Sequence, residues 1–106
     1  MEGCIFCKIV SKEVSSDIIK ETDNFVVFPD TNPQAPIHLL IVPKKHIKDI
    51  NEIDDPSWVE VKLIAQMLAK EKGFDSFRLV HNVGDAALVP HMHIHLMAGF
   101  GKERNL

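Results

Sequence analysis

The sequence predicts an α+β fold built on an antiparallel sheet. Three observations lead there. Strand-like segments outnumber helical ones, only one long helical pattern interrupts them, and strands and helices do not alternate in the way a parallel sheet requires. Apolar runs are short and bounded by turn compositions, which sets the strands at ordinary lengths.

Taken in chain order, "CIFCKIVSKE" spaces Ile5, Phe6 and Ile9 as one side of a short helix. "DIIKET" (17–22) and "FVVF" (25–28) read as two strands joined at "TDN", a turn composition. "PDTNPQAP" (29–36) carries too much proline for regular structure. "IHLLIVP" (37–43) is a strongly apolar strand. The long helix follows, with Asp55 as its cap, Pro56 in its first turn and Gly73 just past its end. Trp58, Val61, Ile64, Ala65 and Leu68 form its core stripe. Val59, Leu63 and Met67 widen the apolar surface beyond what one face needs, so the helix is expected either to contact a second subunit or to be deeply wrapped by its own domain. "SFRLVHN" (76–82) is another strand, "VGDAALVP" (83–90) a loop, and residues 91–97 the last strand.

At 106 residues with 45% hydrophobic composition, the chain is read as one domain, 1–106, able to fill a modest core. A net charge of −3 gives no sign of a non-specific nucleic-acid binder. No apolar run is long enough to span a bilayer. The start, "MEGCIFCKIV", lacks the pattern of a signal peptide, so a cytoplasmic location is expected. Lasting disulfides are rare there, and Cys4 and Cys7 are left as a metal half-site, a redox pair or incidental thiols.

Residues 91–97, "HMHIHLM", carry the strongest chemical signal. Successive side chains in a strand point to opposite faces, so His91, His93 and His95 share one face while Met92, Ile94 and Leu96 enter a core. A single strand histidine is commonly a satisfied polar residue. Three in register, with a weak β-former that titrates near neutrality, fit a metal site or a histidine nucleophile with helpers better. A nucleophilic histidine needs a neutral ring with one nitrogen free and the other held. His93, flanked on both sides, is the natural candidate, and His38 lies on another strand within reach of the same face. For a metal, Cys4, Cys7, His46 and one histidine of the triple would make a Cys₂His₂ set, although spacing alone does not join the two halves.

Phosphate and sugar contacts are less sharply marked. No Walker loop or G-x-G-x-x-G is present. Gly84, the Asn82 side chain and the amides up to Pro90 offer an anion site, although in isolation a plain connecting turn is the favoured reading. Asp30 follows Phe28 at a strand end, where a carboxylate can accept both hydroxyls of a ribose beside apolar walls from Ile5, Phe6, Ile9 and Phe28. Taken alone, a solvated loop aspartate is the better reading of Asp30.

The chain resembles the histidine triad (HIT) family, whose signature is His-x-His-x-His followed by two apolar residues. "HMHIHLM" matches at every position, and "CIFCKIVSKEV", "FPDTNPQAPIHLLIVPKKHI" and "FRLVHNVG" are similar to further family segments, so that nearly the whole chain is covered. The likeness is greatest to the Hint-like purine nucleoside phosphoramidase branch. The resemblance implies a five-stranded antiparallel sheet with one short and one long helix, paired into a homodimer through the long helix and a sheet edge. It implies hydrolysis or transfer at the α-phosphate of purine nucleotide conjugates, namely phosphoramidates, aminoacyl adenylates or dinucleoside polyphosphates. By likeness His93 is the nucleophile forming a nucleotidyl-histidine, His95 assists at the leaving group, and His38 belongs to the network around them. Asp30 would hold ribose, Ile5, Phe6, Ile9 and Phe28 the purine, Asn82 the phosphate, with Leu88 and Val89 of the neighbouring loop alongside. Some relatives hold zinc at the positions of Cys4, Cys7, His46 and His91, and a structural zinc is expected here.

One departure stands out. Phosphoramidase relatives carry Gln and Ser where this chain has Ala87 and Leu88, in a shorter loop. A hydrogen bond to a charged group contributes roughly 1.5–3 kcal/mol, so losing the serine hydroxyl removes about one to two decades of rate. The competing reading is therefore a nucleotide-binding or zinc-structured interaction dimer with little turnover.

Overall fold

The computed structural model describes residues 3–99. The single-domain reading of 1–106 also covers residues 1–2 and 100–106, which lie outside the described residues. Two α-helices, α1 (Ile5–Val10) and α2 (Asp55–Lys72), accompany five strands: β1 (Lys20–Glu21), β2 (Phe25–Pro29), β3 (Ile37–Pro43), β4 (Phe77–Val80) and β5 (Ile94–Ala98). The sheet order is β1-β2-β3-β5-β4 and every neighbouring pair is antiparallel. The expected α+β class, the five-stranded sheet and the two helices are all present.

Both faces of the sheet are covered. Phe25 and Val27 of β2, Leu39 and Ile41 of β3, and Met92, Ile94 and Leu96 pack against Val61, Ile64, Ala65 and Leu68 of α2. Their alternates Val26, Phe28, Leu40 and Val42 pack on the opposite face against Cys4, Phe6 and Ile9. Double burial explains why "FVVF" and "LLIV" read as unbroken apolar runs rather than alternation.

Several boundaries differ from the sequence expectation, each for a local reason. The cap of α2 is Asp54, not Asp55: its side chain accepts from the Ser57 amide, and Asp55 is the first helical residue with Pro56 behind it. Gly73 closes the helix as expected, with φ +75°. Trp58 lies outside the core stripe and is exposed, so the buried stripe runs from Val61 to Leu68. The first strand shrinks from 17–22 to Lys20–Glu21, the helix at 4–13 to Ile5–Val10, and the strand at 76–82 to Phe77–Val80. A short 3-10 turn, Gly84–Ala86, occupies the loop that follows. The last strand begins only at Ile94, because β3 and β4 supply partners from Ile94 and His95 onward. His91, Met92 and His93 nevertheless keep the alternation: Met92 is in the α2 core, while His91 and His93 face Phe6.

Candidate active site and metal centre

The register of the sheet assembles the histidines. Leu40 lies opposite His95, and His38 lies opposite Met97, which makes His38 and His95 diagonal neighbours on one face. Their rings meet at 2.9 Å, His38 Nε2 to His95 Nδ1. The Gln34 amide donates to His38 Nδ1 at 2.9 Å, so the proton of that ring sits on Nε2 and is donated to His95 Nδ1. His95 is left with Nε2–H as its free donor. The Asp30 carboxylate stands 3.4 Å from His38 Nε2 and 3.9 Å from His95 Nδ1, completing a compact acid–histidine group.

His93 is held in the opposite sense. Its Nδ1–H donates to the carbonyl of His91 at 2.8 Å, which leaves Nε2 with an uncommitted lone pair. Its ring packs edge-on against Phe6 at 5.1 Å and His95 at 5.1 Å between centroids. Burial lowers the pKa of His93; the bond to the His91 carbonyl opposes that, His81 adds to the lowering and Asp30 opposes it. Burial likewise lowers His95, with His93 and His38 adding to it. Both rings are thus kept neutral, the state in which an imidazole nitrogen can attack.

His93 and His95 open onto a cleft of about 550 Å³. Ile5, Phe6, Ile9, Phe28, Asp30, Asn82, Leu88 and Val89 line it with them, whereas Gly84, offered by the sequence for an anion, does not. Val14, Ser15, Ser16, Thr31 and Leu40 also line it and were not singled out. Leu40 reaches it as the register partner of both Phe28 and His95. His38 does not reach this cleft. It stands behind His95 and lines a separate cavity with Pro33, Pro36 and Lys72. Leu88 is 97% exposed at the rim and offers no donor.

The remaining histidine of the triple belongs to a second cluster. Cys4, Cys7, His46 and His91 bring their ligand atoms within 4.8 Å of one another. His91 Nε2–H donates to the Pro43 carbonyl at 2.8 Å, so Nδ1 carries the lone pair. That atom lies 3.3 Å from Cys4 Sγ, 3.5 Å from Cys7 Sγ and 3.1 Å from His46 Nδ1, and Cys7 Sγ lies 3.2 Å from His46 Nδ1. The edges of a tetrahedron around a metal with bonds of about 2.0–2.3 Å are about 3.3–3.8 Å, close to this spacing. Burial raises the pKa of Cys7, and its contact with Cys4 adds to that. Cys7 thus resists ionisation unless a cation is present, which is the condition a metal supplies. The cluster is a potential metal-binding site and the two cysteines are free thiols.

His81 was not singled out from sequence. Its Nδ1–H donates to the His93 carbonyl at 3.1 Å and its Nε2 accepts from the Ile50 amide at 3.0 Å. No helix among the described residues is long and apolar enough to cross a membrane.

Comparison with known proteins gives a consistent picture. A family model described as the HIT domain matches residues 11–102. An uncharacterized HIT-like protein of Chlamydia trachomatis is 40% identical over 101 residues, covering 90% of this chain and 91% of that one. Protein HitA of Neisseria gonorrhoeae is 37% identical over 103 residues, covering 92% and 96%. Among solved structures, a histidine triad protein from Clostridium difficile superposes with a TM-score of 0.92 at 37% identity, covering 100% of this chain and 98% of that one. A HIT family hydrolase from Legionella pneumophila superposes at 0.89 with 38% identity, covering 95% and 96%.

The lowered pKa of His95 has a consequence for stability. Below the ordinary value of 6.5 the unfolded chain binds a proton there that the folded chain still refuses. Folding stability is therefore full above that pH and declines as pH falls from 6.5 toward the lower folded value. Urea unfolding should show a lower midpoint at pH 5.5 than at pH 7.5, and replacing His95 by Gln should flatten part of that slope. An unchanged slope in the variant would remove His95 as its source.

Proposed function

That the chain belongs to the HIT family is the premise from which we propose that it cleaves purine nucleotide conjugates at the α-phosphate through a covalent nucleotidyl-histidine on His93. The observation carrying this reading is the tautomer of His93. Its Nδ1–H is committed to the His91 carbonyl, its Nε2 lone pair is free, and its ring lines a cleft that also contains a carboxylate and apolar walls. The attack forms the Nε2–P bond as the bond from phosphorus to the leaving group breaks. Water then cleaves the Nε2–P bond, releasing a nucleoside monophosphate and restoring the neutral ring. His95 presents Nε2–H to the leaving atom or a phosphoryl oxygen, and His38 fixes that tautomer from behind. Asp30 is assigned the ribose hydroxyls, Asn82 the phosphate, and Ile5, Phe6, Ile9, Phe28, Leu88 and Val89 the base and its surroundings. Within the family, we propose that it acts as the purine nucleoside phosphoramidase branch does.

The second reading, a nucleotide-binding protein with little turnover, is favoured by one feature: the exposed Leu88 and its neighbour Ala87 provide no side-chain donor at the rim. The two readings part in a trapping experiment. Incubation with an adenosine 5′-phosphoramidate and acid quench should leave the protein heavier by one nucleotidyl group on His93. His93→Ala should show no adduct while its affinity for AMP stays within about tenfold, because the substitution removes chemistry rather than the base pocket. AMP binding with no adduct in the wild type supports the second reading instead.

We assign the Cys4, Cys7, His46 and His91 cluster to a structural zinc, on its donor set, the close approach of its ligand atoms and the free lone pair of His91 Nδ1. Bound there, zinc supplies a closed four-coordinate cross-link and no reacting position. Protein purified without an affinity tag should contain close to one zinc per chain. Cys4→Ser should lose it and melt at a lower temperature. Metal-free wild-type protein whose melting is indifferent to chelator would rule the assignment out.

The chain is also proposed to form a homodimer through α2 and the edge strand β4. Trp58, Val59, Leu63 and Met67 of α2 are each more than two-fifths exposed, as is Leu79 of β4. Part of this surface borders a groove of about 400 Å³ between the helix and the strand, with Val61 and Ile94 also along it. Continuous apolar surface of this kind marks an interface. Sedimentation equilibrium should return twice the 12.0 kDa chain mass, and Leu63→Glu should return the monomer. A wild-type monomer at micromolar concentration would contradict the proposal.

A further inference from the structure

We infer that His81 is a positioning residue for the nucleophile, fixing the main chain of His93 by a side-chain hydrogen bond where the sheet provides none. The inference rests on the reading of His93 given above. Strand pairing stops short of that residue: the last β3–β5 pair is Ile41 with Ile94, and the last β4–β5 pair is Val80 with His95. The segment 91–93 is held by other means. The Met92 amide donates to the Ile47 carbonyl at 2.8 Å, and His81 Nδ1–H donates to the His93 carbonyl at 3.1 Å. His81 takes its place next to the end of β4, immediately before Asn82, and its other nitrogen accepts from the Ile50 amide at 3.0 Å. An amide can only donate and a carbonyl only accept, so the two partners select the Nδ1–H tautomer.

The loop that holds His81 is itself anchored. Asp49 is buried, and its carboxylate accepts from the Asn51 amide at 2.9 Å and the Gly84 amide at 3.3 Å. Two hydrogen bonds then define the nucleophile. The His91 carbonyl sets the ring of His93, and His81 sets the peptide that carries it. Packing does not explain a histidine here. The ring lines the groove beside Trp58, Val59 and Ile94, which an apolar side chain would fill equally well. An apolar residue would leave the His93 carbonyl and the Ile50 amide without these partners.

The test compares His81→Leu, which fills space without a donor, with His81→Asn, whose amide keeps a donor near the place of Nδ1. Single-turnover formation of the His93 adduct from an adenosine 5′-phosphoramidate is measured beside AMP affinity. His81→Leu should slow adduct formation by at least about tenfold, since a misplacement on the order of 1 Å costs up to about a hundredfold, while AMP affinity moves by less than about threefold. His81→Asn should recover most of the rate. A Leu variant that reacts at the wild-type rate, or an Asn variant as slow as Leu, overturns the inference while leaving the nucleophile in place. A wild type that forms no adduct overturns the nucleophile and this inference together. Should the Leu variant not fold, the Asn variant decides: a rate within about threefold of wild type supports the donor role, and a loss beyond about tenfold overturns it. Nitrogen NMR of the wild-type protein stands apart from any variant: His81 must appear as the Nδ1–H tautomer, and the Nε2–H form overturns the inference.

Discussion

Everything chemical in this molecule depends on the anchoring of Met92, Ile94 and Leu96 in the core beneath α2. These side chains are almost wholly buried among Ile64, Leu68, Leu39 and Ile41. Because side-chain direction in an extended chain has a period of two, burying them forces His91, His93 and His95 to the opposite face. A slip of one residue would drive three imidazoles into an apolar core and turn three large apolar groups toward the cleft. The cost of that exchange is many times the stability of one hydrogen bond, at roughly 1.5–3 kcal/mol for each large apolar side chain moved out of its core. The histidines are thus placed by groups that take no part in their chemistry.

Once placed, the rings are told apart by their acceptors. His91 gives its Nε2–H to the Pro43 carbonyl and turns Nδ1 toward the cysteines, whereas His93 gives Nδ1–H to the His91 carbonyl and keeps Nε2 free. His95 accepts at Nδ1 from His38, which accepts in turn from the Gln34 amide. Three identical side chains on one face acquire three different lone-pair directions, each fixed by a carbonyl or amide that cannot reverse its role. Burial lowers the pKa of all three and preserves these tautomers in the neutral state. Position comes from the core, and identity from the main chain.

The sequence was legible where a residue's role follows from periodicity. The alternation at 91–97 gave the faces, and the apolar runs at 25–28 and 37–43 gave strands, which the fold buries on both sides. The residues gathered at the cleft and at the cysteine cluster were legible through the family resemblance, since nothing in spacing alone brings Cys4 within 3.3 Å of His91, 87 positions away. Side-chain to main-chain bonds were not legible. His81 carries no periodic signal, because its partners, the His93 carbonyl and the Ile50 amide, are groups that every residue type possesses. The cap of α2 was misplaced by one residue for a related reason: Asp54 and Asp55 offer the same carboxylate, and only the backbone shows which one reaches the Ser57 amide. Trp58 was misread because helical spacing reports the face of a helix and not how far its neighbours extend over it.

The short N-terminal helix draws the two clusters into one construction. A six-residue helix has no stability of its own, since nucleation is costly and too few residues follow to repay it. It persists because its two sides are both occupied. Cys4 and Cys7 meet His46 and His91, and Phe6 and Ile9 pack on Phe28, Leu40 and Val42 while forming a wall of the cleft. Phe6 contacts the rings of His91 and His93 alike, at 5.8 and 5.1 Å between centroids. An ion held by the four ligands would fix the same helix that presents Phe6 to the cleft, although no ligand of that ion reaches the cleft itself. Its effect there would be felt through the position of an aromatic wall and of His91, whose carbonyl holds the ring of His93. The reacting groups His93 and His95 stand just before β5 and on it, backed by His38 of β3, and are tied to the sheet and the 44–54 loop. The two supports meet at His91, whose Nδ1 turns to the cysteines while its carbonyl holds the ring of His93.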